Sequence, residues 1–128
     1  MVAVRFLLLA ALASLASLGC SPAGLKRDLH YVAGATEVAA QGSLLCDWSS
    51  TNRSVGNGFA ETNPVMGTHP NGSVTQAYFV GVGTGVAVYN RLLPDVLRIV
   101  ANSVLIGIEI DAVSWNHSVG ADPRGCGL

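Results

Sequence analysis

The sequence predicts an all-α chain: a small membrane helical bundle of about three helices after an N-terminal signal segment. Three observations predict it. Half of the residues are apolar and only 12% are charged, about half the charged share of an ordinary globular domain. Three stretches of helical length, ending near Trp48, Asn90 and Trp115, are separated by short segments rich in Gly, Asn and Pro. Within the last stretch the polar residues share a face. At 100° per residue, Arg98, Asn102, Glu109 and Asn116 fall within about 40° of one another.

A chain of 128 residues suits one domain. The segments read as a signal peptide over 1–19, a tether over 20–33, a helical membrane domain over 34–120 and a flexible tail over 121–128. At the start, Arg5 precedes the apolar run Phe6 to Leu18. That run is too short to span a bilayer and fits the apolar region of an export signal. It ends Ser17-Leu18-Gly19-Cys20, which resembles the lipobox of bacterial lipoproteins. The resemblance implies that Cys20 is acylated and becomes the mature N-terminus. Ser17 stands where Leu is usual, and Leu18 where a small residue is usual. Ordinary cleavage near Ala16 or Gly19, or an uncleaved anchor, therefore stay open. Export places the chain in the bacterial cell envelope, membrane-embedded or lipid-anchored, with membrane lipids as partners. Export also permits a disulfide. Cys46 lies in an apolar run and reads as a small buried hydrophobe.

His30 to Trp48 reads as the first helix, with Glu37 and Gln41 on one side. Asp47 and Thr51 are four apart and share a face, with Trp48 alongside. An ionisable group near the end of a buried helix is costly unless it is paired or wet. A loop with Arg53, Gly56, Asn57 and Gly58 follows, and then Glu61-Thr62-Asn63-Pro64. Asn63 reads as a helix cap with proline at the first helical position. Gly67 and the cluster from His69 to Gly72 end that turn. Two readings compete here. In one, Asp47, Thr51, Glu61 and Asn63 build a polar site, joined by Glu109 and Asn116 from the last helix. In the other, Asp47 and Thr51 only tie down a helix end, and Glu61 is a solvated charge.

Ser73-Val74-Thr75-Gln76 has the spacing of a capping box, and a helix from Val74 to about Asn90 follows. Gly81, Gly83 and Gly85 lie inside it. They lack the spacing of a nucleotide loop and no Lys-Ser/Thr follows. The alternation of VGVGTGVAVY would also suit a strand. The helix is preferred: Gly81 and Gly85 then form a G-x-x-x-G face for helix packing, in a homo- or hetero-oligomer. Tyr78 and Tyr89 take the places of interface aromatics. Pro94-Asp95 opens the last helix. Its run Val96 to Trp115 is about 20 residues, or about 30 Å, which matches the hydrocarbon thickness. Its polar stripe should face other helices or a wet cavity, with Gln41 or Asp47 as partners. Asp111 points the other way, and His117 reads as an interface residue.

Taken together, Asp47 to Thr51 as D-x-x-x-T, Glu61 to Pro64 as E-x-N-P, Gly67 to Pro70 as G-x-H-P, and Ile106 to Glu109 with Asn116 beyond resemble a family. It is a family of small, uncharacterised bacterial and phage-borne helical membrane proteins. The resemblance covers about Leu44 to Gly120 and implies a helical hairpin-like membrane domain with no known activity. The long N-terminal extension of this chain departs from that pattern.

A net charge of −1 with no basic run excludes nucleic acid as the expected partner. No C-x-x-C or other ligand spacing points to a metal, and no cofactor is implied. No G-x-S-x-G or H-E-x-x-H motif occurs, so an enzyme is the less favoured class. The first reading is a structural or partner-packing envelope protein. An alternative is an intramembrane site for a small polar ligand, ion or proton. A second alternative is a soluble, lipid-anchored periplasmic domain using Val74 to Tyr89 as strands.

Overall fold

Three helices account for nearly all of the computed structural model, which describes residues 22–61, 63 and 65–120. Helix α1 is Pro22–Gly56, α2 is Gly72–Leu92 and α3 is Asp95–Ser118. Among the described residues there is no strand, so the glycine-rich run of Val80 to Val88 lies in α2.

The helix at 35 residues is longer than expected, because it starts at Pro22 and takes in the segment read as a tether. Proline suits a first helical position, where its missing N–H would have no partner anyway. The far end stops in a tight cap. Phe59 N–H reaches the Ser54 carbonyl at 3.0 Å and Gly58 N–H reaches Val55 at 3.0 Å. Gly58 sits at φ 85°, a conformation that glycine adopts without a Cβ clash.

Asn63 does turn the chain, its side chain accepting from Val65 N–H at 3.0 Å. Only a turn follows it, closed by Met66 N–H to the Asn63 carbonyl at 3.2 Å. The cap of α2 lies two residues upstream of the expected Ser73: Asn71 Oδ1 accepts from Val74 N–H at 3.0 Å. An asparagine side chain competes well for an N-cap, and the serine falls inside the first turn. Pro94 occupies the cap position of α3 and Asp95 its first turn.

α3 runs beside α1 in the same direction, and α2 runs back against them. The pairings Arg98 with Glu37 and Asn116 with Ser50 fix the first relation. The packing of Phe79 by Leu44 and the Gln41 bond to Gly83 fix the second. Contact between α1 and α3 is the most extensive, and α2 rests mainly on α1. Buried positions on α1 are Ala33, Ala40, Leu44, Asp47, Ser50, Thr51 and Ser54; on α3 they are Ile99, Asn102, Glu109, Val113 and Asn116. Apart from the adjacent Ser50 and Thr51, both sets step by threes, fours and sevens, the spacing of a coiled-coil seam. The apolar core lies to the α2 side: Leu44, Met66 and Phe79, with Trp48, Tyr78 and Val82 against them. Trp48 stacks on Phe79 with ring centroids 6.0 Å apart.

The expectation of membrane-spanning helices finds no support here. No helix among the described residues is long and apolar enough to cross a membrane. For Val96 to Trp115 the reason is the seam itself. Arg98, Glu109 and Asp111 are too many charges for one span, although the stripe faces α1, as its spacing requires. Tyr78 and Tyr89 also turn inward, Tyr78 onto Phe79 and Tyr89 onto Asn102.

Candidate functional site

The seam between α1 and α3 is polar in two places. Near the start of α3, Arg98 donates to Glu37 at 3.1 Å, to Asp95 at 2.8 Å and to Asn90 at 3.2 Å. One turn on, Asn102 is fully buried and pairs its amide with that of Asn90. Its Nδ2 donates to Asn90 Oδ1 at 3.0 Å, and its Oδ1 accepts from Asn90 Nδ2 at 3.1 Å. Asn102 also accepts from the Tyr89 hydroxyl at 2.6 Å and donates to Thr36 Oγ1 at 3.3 Å. Buried polar groups are tolerated when satisfied in this way. This layer joins all three helices.

The second place is the candidate site. Seven residues after Asn102, Glu109 meets Asp47 of α1, and the two carboxyls are hydrogen-bonded. Seven further on, Asn116 Nδ2 reaches Asp47 Oδ1 at 3.2 Å, Ser50 Oγ at 2.8 Å and Thr51 Oγ1 at 3.2 Å. Thr51 donates to Asp47 Oδ1 at 3.3 Å. Glu109 is only 4% exposed, and its Oε2 has no hydrogen-bond partner.

Burial pushes the Glu109 carboxyl up to about 8, helped by the charge of Asp47 and by the hydrogen bond between them. Burial also raises Asp47, to about 6. The bonds from Glu109, Thr51 and Ser50 oppose that rise, and the charge of Glu61 adds to it. Near neutral pH the two acids together hold one proton. Two adjacent buried carboxylates cannot both ionise cheaply, and the proton belongs on Glu109 because Asp47 Oδ1 already accepts from Ser50, Thr51 and Asn116 whereas Glu109 Oε2 has no donor.

Asp47 is also the inner wall of an open cleft of about 760 Å³. Glu61 and Asn63 form one rim; Ile108, Asp111, Ala112 and Trp115 of α3 form the other. Glu61 is fixed toward the turn by accepting from Asn63 N–H at 2.9 Å. The lining holds three carboxylates and no basic side chain. Among the described residues, no three His, Cys, Asp or Glu side chains come together as a metal site.

Of the six expected site residues, Asp47, Thr51, Glu109 and Asn116 meet directly, while Glu61 and Asn63 stand on the cleft rim. Sequence reading missed Ser50, Asp111 and Trp115. The 111/115 pairing was available: residues four apart share a helix face, and the opposite face had already been assigned to the seam. Gln41, offered as a partner for the α3 stripe, bonds instead to the Gly83 carbonyl at 3.2 Å. Within the chain the close-packed glycine is Gly83, whose added Cβ would lie 3.4 Å from Leu44 Cδ2; Gly81 and Gly85 face open space. Cys46 is disulfide-bonded and is not the plain buried hydrophobe expected. Its partner and Cys20 lie outside the described residues.

No family model, curated protein or solved structure matches this chain.

Proposed function

We propose that the chain is a small exported binding module, in which the Asp47–Glu109 pair holds a proton at the back of a cleft that takes a positively charged, polar small molecule. One observation carries this reading. Glu109 is buried with an unpartnered oxygen against a second acid that lines an acidic cleft. Perturbed acids at a cleft are candidates for function rather than for support. Infrared or NMR titration of the Glu109 side-chain carboxyl tests it. A protonated Glu109 at pH 6 is the expected result; full ionisation there overturns the reading. The disulfide at Cys46 and the apolar leader support export, and Cys20 is the proposed lipid anchor. Loss of labelled-fatty-acid incorporation in Cys20→Ser tests the anchor.

A second reading, packing against a partner protein, has its own observation. Val96, Val100, Val104 and Ile108 form an exposed apolar row on the outer face of α3. A contiguous row of this kind commonly marks an interaction surface. Sedimentation of the wild type against Val100→Glu/Val104→Glu tests it, with loss of an assembly as the supporting outcome.

A further inference from the structure

We propose that the cleft beside Asp47 binds an organic dication, a short alkyl chain with an ammonium group at each end. The proposal rests on the cleft reading above and names its ligand class.

The acids around the cleft are dispersed. Asp47 comes from α1, Glu61 from the connecting segment and Asp111 from the outer side of α3. No three of the described acids converge enough to enclose a metal ion. A compact cation with one coordination sphere is therefore poorly matched, whereas an extended cation can reach two separate carboxylates. The α3 rim carries apolar Ile108 and Ala112, and Trp115 on the same rim is about half exposed at 53%. Methylene groups suit that apolar rim, and an ammonium near an indole gains cation–π attraction. A cleft of about 760 Å³ has room for four to six carbons with water.

Behind Asp47, and not itself lining the cleft, lies Glu109, which is 4% exposed, touches Asp47 and keeps Oε2 unpartnered. An ammonium at Asp47 supplies the positive charge that the two acids lack. It makes ionisation of Glu109 affordable, so one proton leaves to solvent as one ammonium arrives. Beyond the pair itself, Glu61 of the connection acts on Asp47, Asp111 of α3 lines the same cleft, and α1 carries Arg53 six residues after Asp47. α2 brings one charged residue, Arg91, exposed near its far end.

Calorimetric titration of the full chain at pH 7 with 1,4-diaminobutane, butylamine and magnesium chloride tests the proposal. Two buffers of different ionisation enthalpy count the protons released. The expected result is diaminobutane binding at least tenfold tighter than butylamine, with release approaching one proton. Asp111→Asn, on an exposed position, should weaken diaminobutane by about tenfold and butylamine far less; an equal loss for both amines overturns two-ended binding. Equal affinity for the two amines, or tighter binding of magnesium, overturns the dication. Absence of binding by any cation, together with a Glu109 that ionises as an ordinary acid, overturns the cleft reading itself.

Discussion

Asn102 and Glu109 occupy equivalent places on α3, seven residues apart on the same seam, yet their surroundings differ in kind. Around Asn102 every buried donor meets an acceptor, and the Arg98 guanidinium bridges Glu37 and Asp95. Around Glu109 two acids face each other, one oxygen has no partner and the adjoining cleft holds more acid. The first layer fixes which helix lies where. The second leaves electrostatic strain that only a proton or a cation relieves. A satisfied polar network specifies structure, and an unsatisfied one at a solvent-connected cleft points to use.

The largest test of this contrast is Asn102→Ala. It leaves the Tyr89 hydroxyl and the Asn90 amide without their partner inside the bundle. The expected cost is about 4 kcal/mol, from several stranded groups at about 1–3 kcal/mol each, read by urea unfolding. A loss below about 1 kcal/mol would mean that the layer does not hold the helices.

Reduction of the disulfide comes next, with an expected loss of about 3 kcal/mol. It should loosen the Asp47 end of the seam more than the Arg98 end, because Cys46 adjoins Asp47; hydrogen exchange resolves the two. Peptide mapping should find Cys46 joined to Cys126. From Pro22 to Cys46 the helix rises about 36 Å, whereas the two residues before Pro22 reach at most about 7 Å. A map joining Cys46 to Cys20 would contradict the helix.

Asn116→Ala removes the amide that reaches Asp47, Ser50 and Thr51. About 2 kcal/mol should be lost, and Asp47 should hold its proton to higher pH, because a donor to its charged form has gone. Glu109→Gln acts on the same pair with the opposite sign. Both acids are raised in the folded state, so the folded chain binds protons that the unfolded chain has already released. Their contribution to stability is fully present below about pH 4 and is lost as pH rises through about 6 and about 8. The wild type should therefore weaken from pH 5 to pH 8.5. Glu109→Gln should flatten that decline and gain about 1–2 kcal/mol at the upper end, the scale of a poorly paired buried charge. An identical pH profile for both proteins would remove the acid pair from the account.

How much of this was legible follows from which physics is local. The stripe of Arg98, Asn102, Glu109 and Asn116 could be read from the 100° turn of a helix alone, and so could the shared face of Asp47 and Thr51. What lies across from a stripe is set by helix register, which periodicity does not encode. Glu37 and Thr36 were therefore not assigned to Arg98 and Asn102, and Gln41 was assigned wrongly. The expectation of a spanning helix went unsupported for a related reason. Low overall charge suggested lipid, but the helix expected to span still carries Arg98, Glu109 and Asp111 within it. The start of α1 was missed because Lys26, Arg27 and Asp28 look like a solvated tether, although a well-placed proline and good helix formers continue the helix through them.

The smallest effect separates two glycines that look alike in sequence. Gly81 faces open space, whereas Gly83 sits under Leu44 and Gln41 with its carbonyl bonded to Gln41. Alanine relieves the entropic cost of a helical glycine by about 0.5–1 kcal/mol. Gly81→Ala should gain that amount. At Gly83 the new Cβ would meet Leu44 Cδ2 at 3.4 Å, ordinary contact at its tight limit, so the gain should shrink toward zero. Thermal unfolding of the two variants reads the difference directly. If Gly81→Ala is instead destabilising and the loss grows with protein concentration, the G-x-x-x-G face is buried between copies of the chain. The row Gly81 and Gly85 would then be an assembly surface, and the polar seam would have to be understood within that assembly.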